Sequence, residues 1–305
     1  MARTDMIAPM APTQTLPVVR KIELADLKDV LSKGVRDFKA MPTHVVFLSI
    51  IYPIVGLLLA RLAFGYDVIP LLYPLAAGFA LIGPVAAIGL YELSRRRELG
   101  LDTSWVHAFD VFRSPSLPAI ALLGGLLLLI FIVWVAIADH LYVRTFGYAE
   151  PKSLWLFLEQ VLTTPKGHYL IIVGNTVGLI FAVFVFQISV VSFPLLLDRN
   201  VSAAIAIVTS IRSVIHNPLV MAVWGLIIAV ALLIGFLPMF LGLAIVMPIL
   251  GHATWHLYRK VVEPDPNPRP SYRPKPQPIR YGAQFPSSLF FSSSDLDRAD
   301  DGEQQ

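Results

Sequence analysis

His252 and His256 stand four residues apart in "GHATWHLYRK", residues 251 to 260, with Trp255 between them and Arg259 and Lys260 at the end. On a helix this spacing puts two imidazoles on one face, about 6 Å apart along the axis, where they can share a transition metal. They cannot be the two axial ligands of one haem, which approach the iron from opposite sides. A strong zinc signal adds a third donor or a carboxylate in an HExxH pattern, and this stretch has neither. The competing reading is interfacial: a Trp anchor, then Arg and Lys side chains that snorkel toward headgroups at the end of an apolar run. We expect the interfacial reading, and with it no resident cofactor. A transition metal or haem is the alternative.

Two other groups carry polar chemistry. Arg95, Arg96 and Arg97 follow one another in "ELSRRRELG". Three adjacent guanidinium groups either bind anionic lipid or a partner's carboxylates, or mark the cytoplasmic stop of a helix. Glu92, beside Ser94 and Arg96, has the charge to pair across helices. Asn175, Gln187 and Ser189 interrupt an apolar stretch. Polar side chains at membrane depth either line a solute pathway or act as interhelical glue. No Walker loop, GxSxG elbow or dinucleotide fingerprint occurs, and nothing points to nucleic acid.

The elements that position these residues follow from composition. Of 305 residues 56% are hydrophobic and 15% charged, with a mean hydropathy of +0.68, which is more apolar surface than one water-soluble core absorbs. The solvent for this chain is a bilayer. The absence of cysteine excludes a disulfide framework, thiolate metal sites and Cys nucleophiles. A span needs about 20 mostly apolar residues, and six stretches qualify: 45–64, 69–91, 117–138, 169–197, 219–236 and 237–258. Backbone groups in lipid must be satisfied within the segment, and none of the six alternates like a barrel strand, so all six are expected to be helices. The second has small-xxx-small spacing at Ala76, Ala80, Gly83 and Ala87, which suits helix packing.

Lys and Arg set the orientation. With the N-terminus inside, the cytoplasmic side collects the N-terminal basic residues, Arg95 to Arg97, Arg113, Arg199, Arg212, Arg259 and Lys260. The outer side keeps Arg61, Arg144, Lys152 and Lys166. The positive-inside rule then places both termini of a multi-pass membrane protein in the cytoplasm. The first forty residues show no signal peptide. Leu24, Leu27, Leu31, Val35 and Phe38 recur at helical spacing among charges. Residues 22–39 therefore read as an amphipathic helix, lying on the inner membrane surface or packing on the cytoplasmic loops. Ser153 before "LWLFLEQVL" suggests a capped interfacial helix on the outer side. From Glu263 the chain is Pro-rich and polar, as in a disordered tail. The expected organisation is thus a cytoplasmic segment (1–40), a transmembrane domain (41–262) and a tail (263–305).

Helices two and three can be laid on helices four and five. Arg96 then aligns with Arg199, Trp105 with Val208, Val111 with Val214 and Pro115 with Pro218. Each unit is a span, a charged corner, a short amphipathic helix, a Pro and a second span. Both units have the same orientation, unlike the inverted repeats of many transporters. At this point the sequence resembles a known family. "LSKGVRDFKAMP", "YPLAAGFALIGPVAAIGLYELSRRRELG", "SFPLLLDRNVSAAIAIVTSIRSVIHNP" and "GHATWHLYRK" are similar, in this order over about residues 24–262, to the bacterial integral membrane proteins of domain-of-unknown-function family 2189. The resemblance implies an all-helical membrane fold. It brings no settled activity, and members often carry the label of a putative cytochrome c oxidase subunit I.

That label meets a chemical obstacle. A haem-copper subunit needs several histidines deep in the membrane and a polar proton path. The seven histidines here fall at span ends or in loops, and no Asp, Glu or His occupies the middle of an expected span. The expectation is therefore a membrane protein without a catalytic site, one that organises, assembles or assists membrane-protein partners, such as an accessory factor beside a respiratory oxidase. A small-solute channel or carrier is the first alternative, and a metal- or haem-binding subunit the second.

Overall fold

The computed structural model describes residues 16–41, 56, 69–148, 154–236 and 242–265. The chain divides into Met1–Arg269 and Pro270–Gln305, and all described residues belong to the first unit. Among them the chain is helical, apart from loops and one isolated antiparallel bridge between Val19 and Val262. The expected first span, 45–64, lies outside the described residues except Gly56, as does the expected tail from 266 onward.

The helices are α1 (Leu24–Ala40), α2 (Leu72–Ala86), α3 (Ile88–Glu98), α4 (Leu117–Phe146), α5 (Leu154–Thr163), α6 (Pro165–Ser189), α7 (Ser192–Asp198), α8 (Ala203–His216), α9 (Pro218–Phe236) and α10 (Leu243–Val261). A short 3-10 turn (Ile69–Leu71) precedes α2, and a longer 3-10 helix (Trp105–Arg113) joins α3 to α4. Local chemistry sets several of the ends. Pro118 occupies the first turn of α4, where its missing N–H has no intrahelical acceptor. Gly147, at φ 82°, ends that helix in a conformation that side-chain-bearing residues disfavour. Thr164 and Ser202 cap α6 and α8, their hydroxyls accepting from the Gly167 and Ile205 amides at 3.0 and 3.3 Å.

Three helical runs among the described residues are long and apolar enough to cross a membrane: Leu117–Phe146, Pro165–Asp198 and Pro218–Phe236. In the most apolar windows of the first and third, only 22% of residues are buried within the protein. The remainder is apolar surface rich in Leu, Ile and Val, which requires lipid against it. These runs correspond to the third, fourth and fifth expected spans, with two differences. α4 continues eight residues past Ala138, because Asp139, His140 and Arg144 are compatible with a helix that has left the hydrocarbon. The second run is broken at Val190–Val191. There the Val191 amide turns to Ser210 Oγ (3.2 Å), and Ser192 Oγ donates back to the Ile188 carbonyl (2.6 Å).

The second expected span is also divided. Pro84 lies inside α2 and cannot donate to the preceding turn. The axis is interrupted at Ala87, and α3 then carries on beyond Tyr91 to Glu98. The arginine triplet is therefore helical rather than a loop. α10 begins after residues outside the description and contains Pro248. It is largely buried, with Trp255 and Tyr258 1% exposed each. Around it pack α1, α3, α7 and α9. α1 lies on protein: Leu27, Val30, Gly34 and Asp37 form its buried face, whereas Leu24 is exposed.

Candidate functional site

The polar chemistry gathers where α1, α3 and α10 meet. Gly34 lets α1 approach closely, since a Cβ there would stand 2.8 Å from the Ile249 carbonyl and 2.8 Å from the Ala253 methyl. Asp37, one turn further along the same face, is carried against α3 and α10. Its Oδ2 accepts from Ser94 Oγ at 2.7 Å and from His256 Nε2 at 2.8 Å. Its Oδ1 pairs with the Arg97 guanidinium. Ser94 Oγ also lies 2.6 Å from His252 Nδ1. Asp37 is 5% exposed, and Ser94 and His252 are fully buried.

Donor counting fixes the protons. A carboxylate only accepts, so the single Ser94 proton goes to Asp37. His252 then donates from Nδ1 to Ser94, and its buried Nε2 makes no hydrogen bond of normal geometry among the described residues, with the Leu90 backbone beside the ring. This is not a nucleophile relay. In a serine hydrolase triad the imidazole accepts from the Ser and donates to the Asp, whereas here the direction is reversed and the hydroxyl is sealed from solvent. Burial works to raise the Asp37 carboxyl. The hydrogen bonds from His256 and Ser94 and the nearby positive charge outweigh it and hold the group below its usual value. The arrangement is a clamp, in which one buried anion is shared by three helices.

Charged pairs extend the clamp on both sides. Glu92, wholly buried, receives Arg95 through two hydrogen bonds of 2.8 and 3.0 Å. Arg96 donates from Nε to the Asp102 carbonyl at 2.6 Å and reaches Asp110 at 3.4 Å. His107 bridges Asp102 (2.8 Å) and Asp110 (2.9 Å). With the Ser104 amide, it holds the Asp102 carboxyl below the usual range. Glu98 accepts from Trp255 Nε1 (3.0 Å) and from Arg259 (2.9 Å), and Asp198 accepts from the Tyr258 hydroxyl (2.6 Å). Lys260 reaches Asp26 (2.9 Å) and Asp29 (3.0 Å), which tethers the start of α1 to the end of α10. Asn217 closes the N-terminal segment: Oδ1 accepts from the Ile22 amide, and Nδ2 donates to the Arg20 carbonyl.

His252 and His256 are thus brought together, but around a carboxylate and a serine. Among the described residues no group of three or more His, Asp or Glu side chains is arranged to hold a metal ion. Arg95, Arg96 and Arg97 point to three different acids of the same chain. Asn175 is on an exposed face, where it accepts from the Tyr73 hydroxyl (2.7 Å) and donates to the Ile171 carbonyl (2.7 Å). Ser189 is buried and Gln187 half-buried near the end of α6. They lie 12 and 14 residues beyond Asn175, roughly 18–21 Å along the axis, so the three do not converge. The sequence reading missed Asp37 and Asn217. The signal for Asp37 was present in the register 27, 30, 34, 37, where a Gly and an Asp continue an apolar stripe.

No curated protein and no solved structure matches the chain. Residues 72–198, from α2 through α7, match the model of the family described as predicted integral membrane protein (DUF2189), the family that the sequence resembles.

Proposed function

We propose that this protein is a multi-pass protein of a bacterial inner membrane that works by organising, assembling or assisting other membrane proteins. In this reading it crosses the membrane six times, with both termini in the cytoplasm and a parallel repeat built from spans two to five. The clamp then lies on the cytoplasmic face. The observation that supports the role is Asp37, whose single carboxylate locks a cytoplasmic helix to two bundle helices and makes a rigid platform. The site's acids and bases are spent on one another, which suits a docking surface better than an open catalytic or transport site.

The test is purification of tagged protein from native membranes in mild detergent, wild type beside Asp37→Ala. The expected result is a membrane protein retained in stoichiometric amount by wild type and depleted with the variant, respiratory oxidase subunits being the first to look for by absorption spectrum. Wild type that purifies alone and passes small solutes in proteoliposomes would replace this reading with that of a channel.

A further inference from the structure

The 3-10 helix Trp105–Arg113 is built in stripes, because three residues make one turn. Ala108 and Val111 are buried. His107 and Asp110, on the next stripe, are bonded to each other, to Asp102 and to Arg96. Val106, Phe109 and Phe112 make the third stripe and point outward, 50%, 46% and 69% exposed. Phe109 and Phe112 stack with planes 14° apart, and Trp105 meets Phe109 edge-on. The polar stripe is pinned by Asp102 and Arg96, so the helix cannot roll its aromatic stripe inward.

We propose that Val106, Phe109 and Phe112 form an anchor seated in the headgroup and acyl boundary of the bilayer, on the side of the membrane where the Asp37 clamp lies. The bilayer is chosen as occupant because the stripe is continuous with a surface that already needs lipid. Leu117 opens α4 only five residues after Phe112, the 3-10 helix packs on α4, and α4 exposes Leu122 and Leu129 along its length. The neighbouring corner has the same inverted polarity. α8 buries Ala206, Thr209, Ser210 and Ser213 and exposes Val208 and Ile215. Ser116, just after the 3-10 helix, donates to the carbonyl of Arg199, just before α8. Small and hydroxyl residues inside with aromatic and branched residues outside is the polarity of an element whose solvent is lipid, and aromatic rings concentrate at the interface. This inference needs only a membrane-embedded chain and stands apart from the partner-organising role.

The chain has no cysteine, so single-cysteine variants need no prior engineering. Phe112→Cys is labelled with an environment-sensitive fluorophore in vesicles of phosphatidylcholine and phosphatidylglycerol. Lys28→Cys, on the exposed face of α1, and Leu129→Cys, midway along α4, are the references. Quenching is read from iodide in the buffer and from lipids carrying a nitroxide at a shallow or a deep acyl carbon. The label at 28 should respond to iodide and the label at 129 to the deep nitroxide. The label at 112 should respond best to the shallow nitroxide, to within about twofold of the response at 129 to its own quencher. Three results overturn the anchor: iodide reaching 112 as it reaches 28, no lipid quencher reaching it because protein covers it, or the deep nitroxide working best. Phe109→Cys gives the same readout should the first variant fail to fold.

Discussion

Asp37 and His256 are separated by 219 positions in the chain and meet at 2.8 Å. This contact makes α1 part of the bundle. Asp37→Ala should leave Arg97, Ser94 and His256 facing a void, and should lower stability by about 3 kcal/mol, the range for removing one member of a buried charged pair. Arg97 is partly exposed and recovers some hydration, which keeps the loss at the low end. Ser94→Ala should cost about 1 kcal/mol. Thermal unfolding in detergent, combined with protease sensitivity of α1, measures both. Equal losses for the two variants would contradict the hub.

The pH dependence has a definite sign. Asp26, Asp29 and Asp37 all have carboxyls held below the usual value of 3.8. The folded state therefore binds fewer protons than the unfolded one, and their contribution is present above that value and lost as pH falls through the lowered folded values. Lys260 is raised above its usual 10.5, so its contribution is present below 10.5 and lost only as pH rises through its folded value. Amide exchange should accordingly show α1 protected at neutral pH and released in acid below about pH 4, before the exchange of α4 and α9 changes. Release of α1 between neutral and mildly acidic pH would be the wrong window for these carboxylates.

Gly34→Ala tests the close approach. Alanine improves helix propensity by about 1 kcal/mol, but the new methyl would meet backbone of α10 at 2.8–2.9 Å. The helices must separate, and a net loss of about 1–2 kcal/mol is expected from overpacking. Gly251→Ala meets only side-chain atoms of Leu90, Cδ1 at 2.7 Å and Cβ at 3.1 Å, so a shift of one side chain suffices and its loss should be smaller. Reversal of this order in thermal melts would place the close contact elsewhere.

Topology reporters after Gly65, after Arg97, near Lys152 and at the C-terminus should read outside, inside, outside and inside. This pattern keeps the basic residues of α3, the α7–α8 corner and the end of α10 on one side. A periplasmic reading at the C-terminus would remove one span from the proposal.

Replacing His252 and His256 together with Gln should change stability through Ser94 and Asp37, with no metal lost, because His252 Nδ1 is engaged by Ser94 and His256 Nε2 by Asp37. Elemental analysis and an absorption spectrum of wild type and variant check this. Near-stoichiometric zinc, copper or iron that vanishes in the double variant would establish a metal centre at these histidines.

The three long apolar runs were legible because protein covers little of α4 and α9, so length and hydropathy alone carry the signal. α1 was legible as a helix, and of the apolar face read from the sequence Leu27 is buried, Leu31 and Phe38 pack against the core and Leu24 is exposed. The centre of the buried face also runs through Gly34 and Asp37, neither of which is apolar. Glycine marks a close contact and aspartate marks a partner, and neither adds to a hydrophobic count. The arginine triplet was visible as charge, but its acids come from separate elements: Glu92 on the same helix, Asp110 on the 3-10 helix, Asp37 on α1. Only the folded chain decides such pairings. The break at Ala87 follows from Pro84, a residue that a window average of hydropathy passes over.

The docking of α1 on α10 also sets an order of assembly. α1 is synthesised first among the described helices, and its binding surface on α10 is translated about two hundred residues later, roughly 10–40 s at ordinary elongation rates. During that interval Gly34 has no backbone to approach, and Asp37 has at most its α3 partners. Closure of the Val19–Val262 bridge and of the Asp37–His256 contact therefore reports that the ribosome has reached the end of the last described helix. A nascent chain arrested before Gly251 should leave α1 open to added protease, and the same helix should become resistant once Val262 has emerged. The docking site of α1 thus ties protection of the first described helix to translation of the last described one.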